Sequence, residues 1–383
     1  MQPVLRTVHG QPSWRFASDT VEAYLTRLGG HLGPVTFDRR GRRFQPYAVA
    51  PWAEEATDPR LPPILKVLRG DFFCLPFGGN TKAFGRERHP IHGETANAKW
   101  RFDGFVSTRG THTVALSLRT RLRRGTVEKR ITLVDGHNAV YCRHRILGMN
   151  GPMCFGHHAM LRFPDRPGSG LVSTSRFVYG QVFPEPAEQP EQRGYSLLKP
   201  GAEFVRLECV PTITGETTDL SRYPARRGFE DIAMVLSDPE VPLAWTAVAF
   251  PKERFVWFAL KDPRVLRGTI FWLSNGGRHY SPWNGRHLNV MGLEEVTSFF
   301  HPGLAESVRP NTLRARGFPT CVELSPTNPF IVSYIMAVAQ VPAGFDHVAA
   351  IEPGATGQTV RIVSANGKSV TTPLDAGFLQ RGG

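Results

Sequence analysis

The feature that most constrains this chain is alternation of apolar and polar residues in short runs, cut at close intervals by turn-forming residues. Val114-Ala115-Leu116-Ser117-Leu118 reads as a strand, as do the runs 127–134, 140–146 and 255–260. Asp135-Gly136, Asn150-Gly151 and Asn275-Gly276-Gly277 follow or separate such runs and supply the positive φ angles that hairpins require. With 38 glycines and 32 prolines in 383 residues, long helices have little room. Near the end, Val360–Val363 and Ser369–Thr372 flank Asn366-Gly367 and predict a hairpin. Asp19 and Glu22 imitate a helix cap, but Val21, Ala23 and Leu25 alternate equally well and favour a strand. One helix is expected: Asn328-Pro329 resembles an N-cap and first turn ahead of Phe330, Ile331, Tyr334, Ile335 and Val338. No repeat, low-complexity tract or linker interrupts the pattern. The expected fold is all-β, two large antiparallel sheets packed face to face with few short helices, in a single domain over 1–383 whose residues 310–383 form a C-terminal extension packed on the sandwich.

Composition narrows the partners. The net charge of +13 is distributed along the chain, and its densest run, Arg119 to Arg124 around the Gly125 turn, reads as a solvated sheet face. Neither a nucleic-acid nor a membrane partner is expected. The opening Met1-Gln2-Pro3-Val4-Leu5-Arg6 lacks a signal-peptide run, and no apolar stretch is of membrane-spanning length, so a soluble cytoplasmic protein is expected. Five scattered cysteines without a C-x-x-C pair read as reduced core thiols. His89 and His92 on a proline-containing loop fall short of a metal site, and no metal or cofactor is expected.

Three distant segments carry chemistry. His89-Pro90-Ile91-His92-Gly93-Glu94-Thr95-Ala96-Asn97-Ala98-Lys99-Trp100, preceded by Arg69-Gly70-Asp71 and Pro76-Phe77-Gly78-Gly79, gathers an imidazole, a guanidinium, an amide and an aromatic ring in a loop-rich region. Gly156-His157-His158 and Gly292-Leu293-Glu294-Glu295 add imidazoles and carboxylates. Such groups suit a sugar site. Interconverting two anomers requires one group to take the C1 hydroxyl proton while another protonates the ring oxygen. Histidine titrates near neutral pH without adjustment, whereas glutamate needs a desolvated setting.

These segments, in this order, resemble the aldose 1-epimerase (galactose mutarotase) family, especially its branch related to hexose-6-phosphate mutarotases. Arg69-Gly70-Asp71, Leu75-Pro76-Phe77-Gly78 and His92 to Trp100 parallel the family's Arg-Gly-Gly, Phe-Pro-x-Phe-Gly and His-Gly-Phe-Ala-Arg-Asn-x-x-Trp segments. Gly156-His157-His158-Ala159 resembles its Gly-x-His-Pro-x-Phe motif, and Gly292-Leu293-Glu294 its Gly-Leu-Glu-Pro. The resemblance spans roughly residues 20–310 and implies a galactose mutarotase-like β-supersandwich. It implies that Glu294 is the base, His158 the acid, and His92 and Arg69 the groups that bind hydroxyls, with Asn97 supporting loop or substrate. The partner would be a monosaccharide or a modified sugar, anionic ones included; oligomeric state is not implied. A non-catalytic carbohydrate-binding protein on the same fold is the alternative, and an auxiliary domain of a lyase or hydrolase a third.

Departures from the family pattern set further expectations. Asp71 stands where glycine is usual and would pair with Arg69; Ala96 replaces an arginine; residues 295–383 form a longer tail than usual, able to alter or cover the cleft. Because successive strand residues alternate, only one of His157 and His158 reaches the cleft, with His158 favoured. If Glu294 points inward, Glu295 is solvated, and the two catalytic groups face each other across one sugar-sized hollow. Trp100, Trp272 and Trp283 are expected more as core than as sugar platforms, and Arg278 and Arg286 more as surface residues than as substrate contacts.

Overall fold

Two long stretches of near-continuous apolar sequence form the middle of the molecule because each of their strands is covered on both faces. In the computed structural model, which describes residues 3–381, every residue of Ala244–Phe250, Phe255–Lys261, Gly268–Asn275 and Val290–Thr297 is buried. The first two belong to a nine-stranded antiparallel sheet ordered Arg222–Tyr223, Gly170–Thr174, Ala244–Phe250, Phe255–Lys261, Phe330–Gln340, Ala139–Leu147, Gly125–Val134, Thr111–Thr120 and Arg101–Thr108. The other two lie in an eight-stranded sheet that runs Glu203–Phe204, Phe177–Val182, Phe229–Ser237, Gly268–Asn275, Val290–Thr297, Phe155–His157 and Phe73–Cys74, with Ala159–Arg162 also paired to Val290–Thr297. The two sheets stack, and one hydrophobic core fills the space between them. A four-stranded sheet from Val4–Val8 to Leu32–Thr36 packs beside this sandwich, its strand Glu22–Thr26 burying Ala23 and Leu25 as the alternation predicts.

The helix expected over 330–338 is a strand. Phe330–Gln340 pairs on both sides, with Phe255–Lys261 and with Ala139–Leu147. Val332, Tyr334, Met336 and Val338 face the intersheet core, while Ile335, Ala337 and Ala339 face the opposite side. Helical spacing was satisfied only because almost every position is apolar; the β-branched Ile331, Val332, Ile335 and Val338 favour the extended form. Residues 330–340 are therefore a central part of the sandwich, and only from about Pro342 does the chain lie outside it. There Val348–Pro353, Thr359–Ser364 and Ser369–Pro373 form a three-stranded sheet, the last two being the expected hairpin. This sheet and the turn Ala376–Leu379 cover the outer face of the nine-stranded sheet. Arg143 fastens the end by donating to the Phe378 carbonyl at 2.8 Å and stacking on its ring at 4.3 Å.

The cysteines are all free, Cys74, Cys142 and Cys154 being buried. Among the described residues no helix is long and apolar enough to cross a membrane.

Candidate active site

The eight-stranded sheet carries different chemistry on its two faces. On Val290–Thr297, Glu295 points between the sheets and Glu294 away from them. Glu295 is fully buried rather than solvated: Lys261 pairs with it, and the hydroxyls of Thr246 and Thr269 each donate to it at 2.7 Å. The expectation of a solvated partner fails because both faces of this strand are covered. The same alternation divides the histidine pair. His157 enters the intersheet space, where its Nδ1 lies 2.8 Å from Asp71 and its ring packs against Tyr334 and His144. His158, at the break between two strands, turns to the other face and meets Glu294, Nε2 to Oε1 at 3.1 Å. The two groups touch side by side instead of facing each other across a hollow.

They line a pocket of about 80 Å³, room for roughly half a dozen waters and so for one small ring. Its sheet floor is made possible by Gly292, on the same face as Glu294 and opposite Trp272: a Cβ there would lie 2.9 Å from the Glu294 Oε1 and 3.0 Å from the Trp272 Cβ. Phe72 stacks on His158 with ring centres 4.5 Å apart, and the rings of Trp272 and Trp283 meet edge to face. Both tryptophans are buried and also line the pocket.

Loops supply the remaining polar groups. His92 adopts φ +57°, followed by Gly93 at +75°, a tight turn in which a Cβ on Gly93 would strike the Leu75 carbonyl at 1.9 Å. The backbone N–H of Gly78 donates to His92 Nδ1 at 3.3 Å, which leaves the ring proton on Nε2. Asn80 binds this loop to the next: its amide donates to Gly78 and Pro90 carbonyls, and its oxygen accepts from Leu304 N at 3.0 Å. His301 is thereby brought 5.2 Å from His92, ring centre to ring centre, and His92 lies 5.0 Å from His158. His301 belongs to the tail beyond Glu294, which therefore contributes to the pocket, while the three-stranded C-terminal sheet lies on the other sheet. Arg278 also lines the pocket and is not a surface residue; its Nε donates to Glu188 at 2.6 Å, Glu230 stands 4.0 Å away, and its guanidinium stacks 4.6 Å from the centre of Trp283. Arg286 does pair at the surface, with Glu55.

Other residues singled out in the sequence serve as framework. Arg69 does not pair with Asp71 and does not reach the pocket. Its guanidinium is wholly buried and donates to the carbonyls of Val67, Val8 and His9 at 2.8–3.1 Å, and burial pushes its pKa down to about 10. Asp71 is instead occupied by His157 and by the backbone N–H of His158, which it accepts at 3.1 Å. Asn97 accepts from Ile64 N and donates to the carbonyls of Ile91 and Gly93, tying the helix Pro63–Val67 to the His92 loop. Trp100 donates to the Thr95 carbonyl beneath Lys129, away from the pocket. His301 and Asn80 carried no signal at the level of sequence, since neither sits in a motif. For Arg278 the neighbouring Trp283 was the available clue.

Burial sets the proton balance. Desolvation pushes the Glu294 carboxyl well above its ordinary range, opposed by the charge of Arg278. It lowers His158 to about 3 and His301 to about 4, and takes His92 well below its usual value. The free pocket thus favours a protonated carboxyl beside a neutral imidazole, the two in contact.

No protein-family model matches the chain, and no curated protein matches it in sequence. Solved structures do resemble it. A candidate aldose 1-epimerase from Klebsiella pneumoniae matches with TM-score 0.60 at 14% identity, over 89% of this chain and 83% of that one. A galactose mutarotase-like protein from Clostridium acetobutylicum gives 0.59 at 11%, over 88% and 98%. A galactose mutarotase-related enzyme from Lactobacillus acidophilus gives 0.55 at 11%, over 86% and 99%. At such identities the likeness concerns the fold, which is the galactose mutarotase-like β-sandwich.

Proposed function

We propose that this protein is an aldose 1-epimerase-like isomerase that interconverts the anomers of a free monosaccharide at the pocket beneath His92. The observation that carries the reading is the contact of His158 with Glu294 on the pocket wall. The hydroxyl and ring oxygens of a cyclic sugar are both bonded to C1, so the acid and the base must act on neighbouring atoms. Two groups in contact and sharing one proton suit that task.

The neutral pair and the ion pair contain the same proton and differ only in which atom holds it. From the ion-pair form, Glu294 takes the C1 hydroxyl proton. The freed electron pair forms the carbonyl, the bond from C1 to the ring oxygen breaks, and that oxygen receives the proton of His158. The pair is left neutral. Rotation about the bond between C1 and C2 and the reverse transfers close the ring on the other face. His92, with its proton on Nε2, would donate to a sugar oxygen. Arg69, Asn97, His157 and Trp100 have no direct part in this scheme; they hold the surrounding backbone. A purely sugar-binding protein would be better served by Glu294 paired away from the pocket.

Exchange NMR between the α and β signals of a panel of neutral aldoses tests the proposal. Acceleration over buffer that scales with protein concentration is expected. Exchange at the buffer rate for every aldose overturns it.

A further inference from the structure

The polar groups of the pocket are few and cluster together, and the remaining wall is hydrocarbon or aromatic. His92, His158, Arg278, Glu294 and His301 are the polar side chains. Ile64, Leu65 and Leu68 form one wall from and beside the helix Pro63–Val67, with Ile91 and Ile232 completing the aliphatic lining. Among the described residues, no Ser, Thr, Asn, Gln, Asp, Lys or Tyr side chain lines this pocket. A site that reads sugar hydroxyls does so by supplying a partner for each, and a hydroxyl buried against hydrocarbon loses its hydrogen bonds to water. Each such loss weakens binding by a factor of roughly 10–100. Arg278 offers no unopposed charge to a phosphate or carboxylate, because Glu188 already pairs with it. Two ring nitrogens of the lining are buried without a partner, His158 Nδ1 and Trp272 Nε1, and of these the indole can only donate.

Building on the isomerase reading above, we infer that the substrate is a neutral aldose poor in hydroxyls away from C1, a 6-deoxyhexose being the simplest case, with its methyl-bearing edge against Ile64, Leu65 and Leu68. Its anomeric edge would meet His158 and Glu294, and the Trp272 indole would donate to a remaining hydroxyl. The aliphatic wall then covers a surface that needs no hydrogen bonds, and the few polar groups meet the few oxygens present.

Matched sugars differing by one hydroxyl test this on the intact protein: D-galactose against D-fucose, and D-glucose against 6-deoxy-D-glucose, with galactose 6-phosphate as the anionic arm. Anomer exchange gives turnover, and saturation-transfer NMR gives binding in parallel. The deoxy member of each pair should show kcat/KM higher by about tenfold or more, with the phosphate ester inert. Equal or better handling of the hydroxylated or phosphorylated sugar overturns the inference while leaving the isomerase reading intact. Preferential binding of the deoxy sugars without exchange supports the ligand class and overturns the isomerase. Neither binding nor exchange for any sugar overturns both. A Leu65→Asn variant, checked for folding by circular dichroism, should narrow the deoxy preference several-fold; an unchanged ratio in the folded variant contradicts the placement of the methyl edge.

Discussion

In the proposed isomerase, His158 and Glu294 would owe their reactivity to burial on the same sheet face. Burial disfavours the charged form of each group taken alone, and in the proposed mechanism one proton passes between the pair and the sugar. Two consequences can be measured. His158→Gln removes one partner of the transfer and should slow anomer exchange by about 10²–10⁴-fold, the usual contribution of positioned acid–base groups. The pH profile should also be displaced from that of a free imidazole. With His158 lowered to about 3, a second proton does not enter the pair at mildly acidic pH, so the rate should stay flat as pH falls from 7 towards 5. It should decline on the alkaline side, where the raised Glu294 gives up the shared proton. An acid limb near pH 6.5 in protein still folded would mean that the pair titrates as ordinary solvated groups.

The strands and loops determine which residues can meet. Alternation along Val290–Thr297 and around His157 sends one member of each pair to the pocket and the other into the core; that the members part was legible from spacing, but that Glu295 enters the core rather than solvent was not. The strand content and the C-terminal hairpin were legible for the same reason, since turn residues bracket short alternating runs. The strand Phe330–Gln340 was not, because an apolar run buried on both faces carries no period. The role of Arg69 was also hidden: a guanidinium that caps three backbone carbonyls looks, in sequence, like one that binds a ligand. Asp71 shows how such framework residues act on the site. It accepts from His157 and from the His158 backbone, so it fixes the break in the strand from which His158 projects. Asp71→Ala leaves both donors buried and unpaired, at ~1–3 kcal/mol each. A lower urea midpoint and a reduced kcat are expected, with Asp71→Asn, which keeps an acceptor for the backbone N–H, recovering part of both; indistinguishable Ala and Asn variants would contradict this.

At the scale of the whole molecule, the sandwich buries an uncommon number of imidazoles. Burial lowers His31, His92 and His144 well below their usual value, His158 and His287 to about 3, and His301 to about 4. The folded state keeps these six neutral, whereas the unfolded chain protonates them below about pH 6.5. The unfolded state therefore binds more protons as pH falls, and stability is lost from about 6.5 down to the folded values. Three buried acids, Glu230, Asp231 and Glu294, are shifted upward and oppose this, but six outnumber three. Each net proton is worth about 1.4 kcal/mol per pH unit. At pH 7 the unfolded imidazoles are mostly still neutral and the three acids balance them, so the thermal midpoint should be nearly level down to about pH 6.5 and then fall through pH 6 to 5; a midpoint that stays flat or rises from 6 to 5 would show that the imidazoles are hydrated. Stability and turnover thus respond differently to acid, and the site is best examined near neutral pH. There, anomer-exchange NMR on Glu294→Gln, with binding followed by saturation transfer on the same samples, addresses the central claim most directly. Exchange should drop about a thousandfold or more while sugar affinity changes little. Parallel loss of exchange and binding, or exchange that survives the substitution, would contradict the role given to Glu294.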